Sequence, residues 1–155
     1  METNGEKTAF KNSVKAACIA VLELRMHTAE LAMQNAQDSA NNQEKSSAGD
    51  KYETSRAMGQ IDRDMNARQL QEAKKDLLFL KAVNIAITGV AANGSIIEFG
   101  DNLFFIAIGL GAVKVDDRTV MAVSYKSPLF ELLKNKKAGD KILFQGREQE
   151  IISVI

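Results

Sequence analysis

An α+β protein is predicted from three observations on this chain. The first half is free of proline and rich in helix-forming residues. Near residue 83 the composition turns to β-branched and aromatic residues, and from there turn residues recur every 8–12 positions. The expected organisation is an antiparallel, coiled-coil helical hairpin over residues 1–82, followed by a small, mostly antiparallel α+β domain over residues 83–155. A chain of 155 residues has room for one ordinary domain or two small ones.

Residues 6–82 are dominated by Ala, Glu, Gln, Lys, Leu and Met. Phe10, Val14, Ala17, Val21, Leu24, Thr28 and Leu31 alternate spacings of four and three, which is a heptad seam. A second seam reads Met58, Ile61 and Met65, then Leu70, Ala73, Leu77 and Leu80, with a shift between 65 and 70. The stretch between them, Asn41-Asn42-Gln43-Glu44-Lys45-Ser46-Ser47-Ala48-Gly49, has the composition of a turn or linker. Two helices of roughly 30–35 residues, each about 50 Å long, would pack against each other. The short polar turn favours folding back within one chain, hence a monomer, over a homo-oligomeric coiled coil.

Beyond residue 83, strands are expected at about 95–99, 102–109, 112–116, 119–124, 141–145 and 148–154. Asn93-Gly94, Gly100-Asp101-Asn102, Asp116-Asp117-Arg118, Gly139-Asp140 and Gln145-Gly146-Arg147 punctuate them. One short helix interrupts the strands: Ser127 suits an N-cap, Pro128 the first helical position, and Leu129, Phe130, Leu132 and Leu133 follow.

Composition excludes several function classes. The chain holds 20 basic and 20 acidic residues, balanced as twelve of each in residues 1–82 and eight of each in 83–155. No global field therefore draws it to nucleic acid or membrane, and contact with RNA would need a local patch. Cys18 and His27 are the only residues of their types, which leaves no disulfide framework, no Cys/His zinc site and little material for a Cys–His nucleophile pair. The segment Met1 to Lys7 has no apolar signal core, and the longest apolar run, Leu103 to Val113, is too short to span a bilayer. A cytoplasmic protein with no membrane partner is expected.

The chemistry-bearing motif is Gly49-Asp50-Lys51-Tyr52-Glu53, placed where one helical stretch turns back into the other. Asp50 and Glu53, at i and i+3, share a helix face if the second helix starts there. Asp at the N-cap and Glu three residues on also make a capping box that favours the helix start and its dipole. The capping and functional readings are compatible.

Ser127-Pro128-Leu129, Leu132-Leu133, Lys136-Lys137-Ala138-Gly139-Asp140, Phe144 and Ile151-Ile152 together resemble the C-terminal signature of the GreA/GreB family of bacterial transcript-cleavage factors. Gly49-Asp50-x-x-Glu53 resembles that family's acidic hairpin tip. The resemblance is close over about 47–57 and 124–155; family members follow the tip glutamate with Asn and a Glu-Tyr pair, where this chain has Thr54-Ser55-Arg56-Ala57. The resemblance implies an FKBP-like C-terminal domain that binds RNA polymerase, with Ser127, Pro128, Lys136 and Lys137 at the contact. It also implies a hairpin inserted in the polymerase's secondary channel. There Asp50 and Glu53 would help hold a second Mg²⁺, shared with the polymerase, and orient water for cleavage of backtracked RNA. Such a protein completes another enzyme's site and is not itself an enzyme.

Other residues admit two readings. Arg63, Arg68 and Lys74, with Lys75 and Lys81, could track nascent RNA phosphates, but Asp62, Asp64, Glu72 and Asp76 interleave with them as on a mixed solvated face. Lys134, Lys136, Lys137 and Lys141 could dock on an acidic surface or simply follow a helix C-terminus. Phe104, Phe105, Phe130 and Phe144 are assigned to the core, Cys18 to packing, and His27 to a solvated or interhelical position. An FKBP-like isomerase or chaperone is the rival outside transcription, although 6% aromatic residues and no Trp argue against an aromatic proline pocket.

Overall fold

The computed structural model describes the backbone of residues 2–46 and 50–155, with the side chains of residues 40–46, 50–53 and 55 outside that description. It is an α+β protein. Helices α1 (Asn4–Ser46) and α2 (Asp50–Ala82) are followed by strands β1 (Ile96–Phe99), β2 (Asn102–Ala107), β3 (Gly111–Val115) and β4 (Arg118–Ser124). Helix α3 (Pro128–Leu133) and strands β5 (Lys141–Phe144) and β6 (Arg147–Val154) complete it. The chain forms two compact units. One comprises residues 21–78; the other brings residues 1–20 together with 79–155.

In the helical unit, Leu22, Leu24, Ala29 and Ala32 line one groove with Asn66, Gln69, Ala73 and Asp76. Ala32, Ala36 and Ser39 line the next with Met58, Gly59, Met65 and Gln69. Rising numbers on α1 thus meet falling numbers on α2, and the two segments run antiparallel. Two expectations are corrected here. Asn41–Ser46, read as linker, is the last part of α1, which is 43 residues long. No proline or glycine lies between Gly5 and Gly49, and Gln43, Glu44 and Lys45 sustain a helix.

The seam on α1 is also rotated. Lys11, Val14, Cys18, Leu22 and Ala29 are buried, whereas Leu24 and Leu31 are exposed. On α2, Ala73 and Leu80 are buried as expected, but Met58, Ile61 and Met65 are exposed. Ala29 and Ala73 take buried positions, and the bulkier Leu24, Leu31, Met58, Ile61 and Met65 stand exposed.

The second unit is built on one six-stranded sheet of order β3-β4-β2-β1-β6-β5. All pairings are antiparallel except β2 with β4. The strands fall within two residues of the expected positions. Period-2 alternation divides the sheet between two faces. Ile97, Phe99, Phe104, Ile106, Ile142 and Val154 bury against Phe130 and Leu133 of α3. Ile96, Phe105, Ala107, Val113, Val115, Val120 and Ala122 on the opposite face are also buried.

The N-terminal turns of α1 lie at this opposite face. Arg118 stands 4.4 Å over the Phe10 ring, and Glu2, Lys7 and Phe10 share a small cavity with Ile96, Leu103 and Ile155. The β5–β6 hairpin closes through Gln145 and Gly146, both with positive φ, as a two-residue primed turn requires.

Candidate functional site

The hairpin end is set by the backbone. α1 ends at Ser46 and α2 starts at Asp50, so only three residues connect two long antiparallel helices. Asp50 opens α2 and Glu53 falls in its first turn, where carboxylates favour the helix dipole. The side chains of Asp50 and Glu53, like those of Lys45, Ser46, Ser47 and Tyr52, lie outside the described residues. Thr54 and Arg56, just beyond, are exposed. Among the described residues no cluster of three or more His, Cys, Asp or Glu stands together.

Along α2, Arg63, Arg68 and Lys74 are all exposed. At about 100° per residue, Lys74 lies about 20° from Arg63, while Arg68 lies about 140° away. Arg56 joins the Arg63–Lys74 row, and Arg68 groups with Lys75 on another face. The described acids of this helix, Asp62, Asp64, Glu72 and Asp76, sit about 80° or more from the Arg56–Arg63–Lys74 row. The structure therefore aligns two of the three expected RNA-facing cations and separates the third.

Around α3, Ser127 is the N-cap: its Oγ accepts a hydrogen bond from the Phe130 N–H at 3.2 Å, with Pro128 at the first helical position. The six-residue helix spans about 9 Å. Ser127 and Pro128 thus stand at its start and Lys136 and Lys137 just past its end. The Lys136 carbonyl accepts from Ala91 N–H at 2.7 Å, and the Lys137 N–H donates to the Asp140 carboxylate at 2.9 Å. These bonds fix the Lys–Gly–Asp turn through its backbone. The Lys137 side chain is exposed and that of Lys136 half-buried. Nearby, Lys141 pairs with Glu148 at 3.4 Å on the surface.

Two buried ionisable groups lie on the same stretch of α1. Lys11 is 1% exposed, and its Nζ donates to the Ala86 carbonyl at 3.2 Å. Desolvation lowers its pKa from 10.5 to about 8. Cys18 is buried, and the same cause raises its thiol from 9.0 to about 11, so it is a protonated packing residue. His27 is exposed. Lys15 Nζ donates to the carbonyls of Lys81 at 3.0 Å and Val83 at 3.1 Å, a cation at the C-terminus of α2.

No family model matches the sequence, and no curated protein matches it. Among solved structures, the crystal structure of GreA factor homolog 1 (Gfh1) of Thermus thermophilus is similar, with a TM-score of 0.35 and 14% identity. The match covers 88% of this chain and 94% of that one. The overlap is loose, and the α+β assignment rests on the elements described above. Among the described residues no helix is long and apolar enough to cross a membrane.

The feature missed in the sequence is the flank of the helical unit. Leu24, Leu31, Met58, Ile61 and Met65 have seam spacing yet are exposed. The signal that could have revealed it is the small-residue series Ala29, Ala32 and Ala36, which competes for the same heptad one position further on.

Proposed function

We propose that this chain is a Gre-like, polymerase-binding transcription factor whose hairpin carries Asp50 and Glu53 to the RNA-cleaving centre of RNA polymerase. The observation that carries this reading is the start of α2 at Asp50 across a three-residue connection, which puts both acids in the first turn at the hairpin end. The Ser127-capped α3 with the Lys136–Asp140 turn supports a docking role for the sheet-containing unit.

Two carboxylates at i and i+3 are oxygen donors of the kind that holds Mg²⁺, an ion usually bound by one or two carboxylates plus phosphate and water. Such a pair fits a shared ion. When bound, Mg²⁺ supplies charge stabilisation to the attacking and leaving oxygens. The acids of this chain would hold the ion and accept hydrogen bonds from water. Arg56, Arg63 and Lys74 would lie along RNA phosphates without reading sequence. The chain would stimulate the polymerase's own activity and would not cleave RNA alone.

The test uses a halted, backtracked elongation complex with Mg²⁺ and end-labelled RNA. The proposal expects short 3′ fragments with the wild-type chain, and their loss with Asp50→Asn and with Glu53→Gln while polymerase binding persists. One sequence feature favours a second reading: Thr54-Ser55-Arg56-Ala57 replaces the residues that follow the tip glutamate in the GreA/GreB family. On that reading the chain occupies the channel and modulates initiation or pausing without cleavage. Polymerase binding with no fragments would select it, and absence of binding would remove both.

A further inference from the structure

The helical unit carries a groove on one side that neither helix fills. Two cavities of about 510 and 660 Å³ share Ala32, Asn66 and Gln69 and so form one continuous trough. Its floor is small: Ala29, Ala32, Ala36, Gly59 and Ala73. Its open apolar residues are Leu24, Met58 and Met65, 65%, 62% and 52% exposed, and polar Thr28, Asn35, Asn66 and Gln69 stand among them. At about 100° per residue, Leu31 falls about 20° from Leu24 and Met65 about 20° from Met58, with Ile61 about 40–60° to one side of the two methionines. Two apolar rows with heptad spacing therefore flank a floor of small side chains. A third helix seated there would bury both rows at the close approach that alanines permit.

The rim decides what kind of helix fits. The charged residues of the trough are Asp62, Glu72 and Asp76 against Arg25, three acids to one base, in a chain whose total charge is zero. In a two-fold pairing of two copies, the same patch would lie on both partners. The acidic rims would then meet each other, which costs affinity. A partner with Lys or Arg flanking its apolar stripe avoids that repulsion and gains charge complementarity at the rim. We propose that this groove docks a cationic amphipathic helix of a partner protein. The α1 wall from Leu22 to Ser39 spans about 25 Å, or about five turns of helix.

The experiment uses the full chain and a fluorescein-labelled synthetic helix of about 18 residues, matched to that length. It carries Leu at the a and d positions and Lys at the flanking ones. A second peptide keeps the same Leu residues and replaces every Lys with Glu. Fluorescence anisotropy is expected to show saturable binding of the Lys peptide and about tenfold or weaker binding of the Glu peptide. The double variant Met58→Lys/Met65→Lys changes only exposed positions, and circular dichroism should show unchanged helicity. It is expected to lose about tenfold or more of the Lys-peptide affinity. Asp62→Lys/Glu72→Lys/Asp76→Lys is expected to reverse the peptide preference. Equal binding of both peptides, or affinity untouched by the Met58/Met65 variant, overturns the proposal. So does a concentration-dependent dimer in sedimentation that the same variant abolishes, because a second copy then covers the groove. The assay contains no polymerase, so its outcome is independent of the cleavage test.

Discussion

Replacing Lys11 by Met is expected to stabilise the protein at neutral pH, and raising the pH should do part of the same work in the wild type. Lys11 is 1% exposed, and its Nζ donates to the Ala86 carbonyl at 3.2 Å. Burial moves its pKa from 10.5 to about 8, a displacement worth about 3 kcal/mol at about 1.4 kcal/mol per unit. The lysine is charged in both folded and unfolded states below pH 8, and the cost of burying that charge is then felt in full. Between about 8 and 10.5 the unfolded chain binds the extra proton, so stability rises with pH. Cys18 opposes this at higher pH: its raised thiol pKa, from 9.0 to about 11, makes stability fall as pH rises between about 9 and 11. The clean interval for Lys11 is therefore pH 7 to 9. Urea unfolding followed by circular dichroism at pH 7 and pH 9 should show the wild type gaining about 1 kcal/mol. Lys11→Met should remove that gain and be more stable at pH 7 by about 1–2 kcal/mol, the removed desolvation less the lost hydrogen bond. A Lys11→Met variant that is less stable at pH 7, or that keeps the wild-type slope, would refute the reasoning.

Further outcomes are expected from the backbone, the cap and the core. Gly94 has φ +94, and a Cβ there would run into the Asn84 carbonyl oxygen and come within 3.1 Å of Val83 Cγ1. Gly111 has φ +75 but open space around it, and Gly89 has neither constraint. Thermal unfolding should rank the alanine variants accordingly: Gly89→Ala near wild type, Gly111→Ala down by about 1–2 kcal/mol, and Gly94→Ala lower still. Ser127→Ala should cost about 1 kcal/mol in urea unfolding through loss of the α3 cap, whereas Ser127→Asp should restore stability. Phe105, 0% exposed at the centre of the sheet, should cost about 3–5 kcal/mol as Phe105→Ala in urea unfolding.

The sheet-containing unit was legible because its turns are chemically marked. Gln145-Gly146 and Ser127-Pro128 fix where chain elements stop and start, and the alternation through Ile96–Phe99 and Asn102–Ala107 sorts residues to faces. The parallel β2–β4 pairing was not legible, since strand order depends on which edges meet in space and no local signal carries it. On the hairpin, helix type was clear and helix azimuth was not. Phe10, Val14 and Leu24 form as regular a seam as Lys11, Val14, Cys18 and Leu22 when only hydrophobicity is weighed. The structure instead buries Lys11, Val14, Cys18, Leu22 and Ala29 and leaves Leu24 and Leu31 outside, a choice of helix face that hydrophobic spacing alone does not make. Asn41–Ser46 misled for a related reason: polar residues that suit a turn also continue a solvated helix when no glycine or proline interrupts them. For the candidate site, the acids of the tip were visible as a DxxE pattern. The alignment of Arg63 and Lys74 away from Arg68 needed only the helix period, once the helix was known to be unbroken.

The sheet-containing unit is discontinuous in the chain: residues 1–20 belong with residues 79–155, and the hairpin is inserted between them. On the ribosome, the first turns of α1 must therefore wait until β6, more than a hundred residues later, has emerged before their pocket exists. β6 lies between β1 and β5, and Ile155 exchanges backbone hydrogen bonds with Ile96 at 2.8 and 2.9 Å, so the wait extends to Ile155. The same arrangement means that a single backbone cut between Ser46 and Asp50 yields two fragments that each own part of one shared core. The nicked protein should elute as an intact particle and separate only in denaturant.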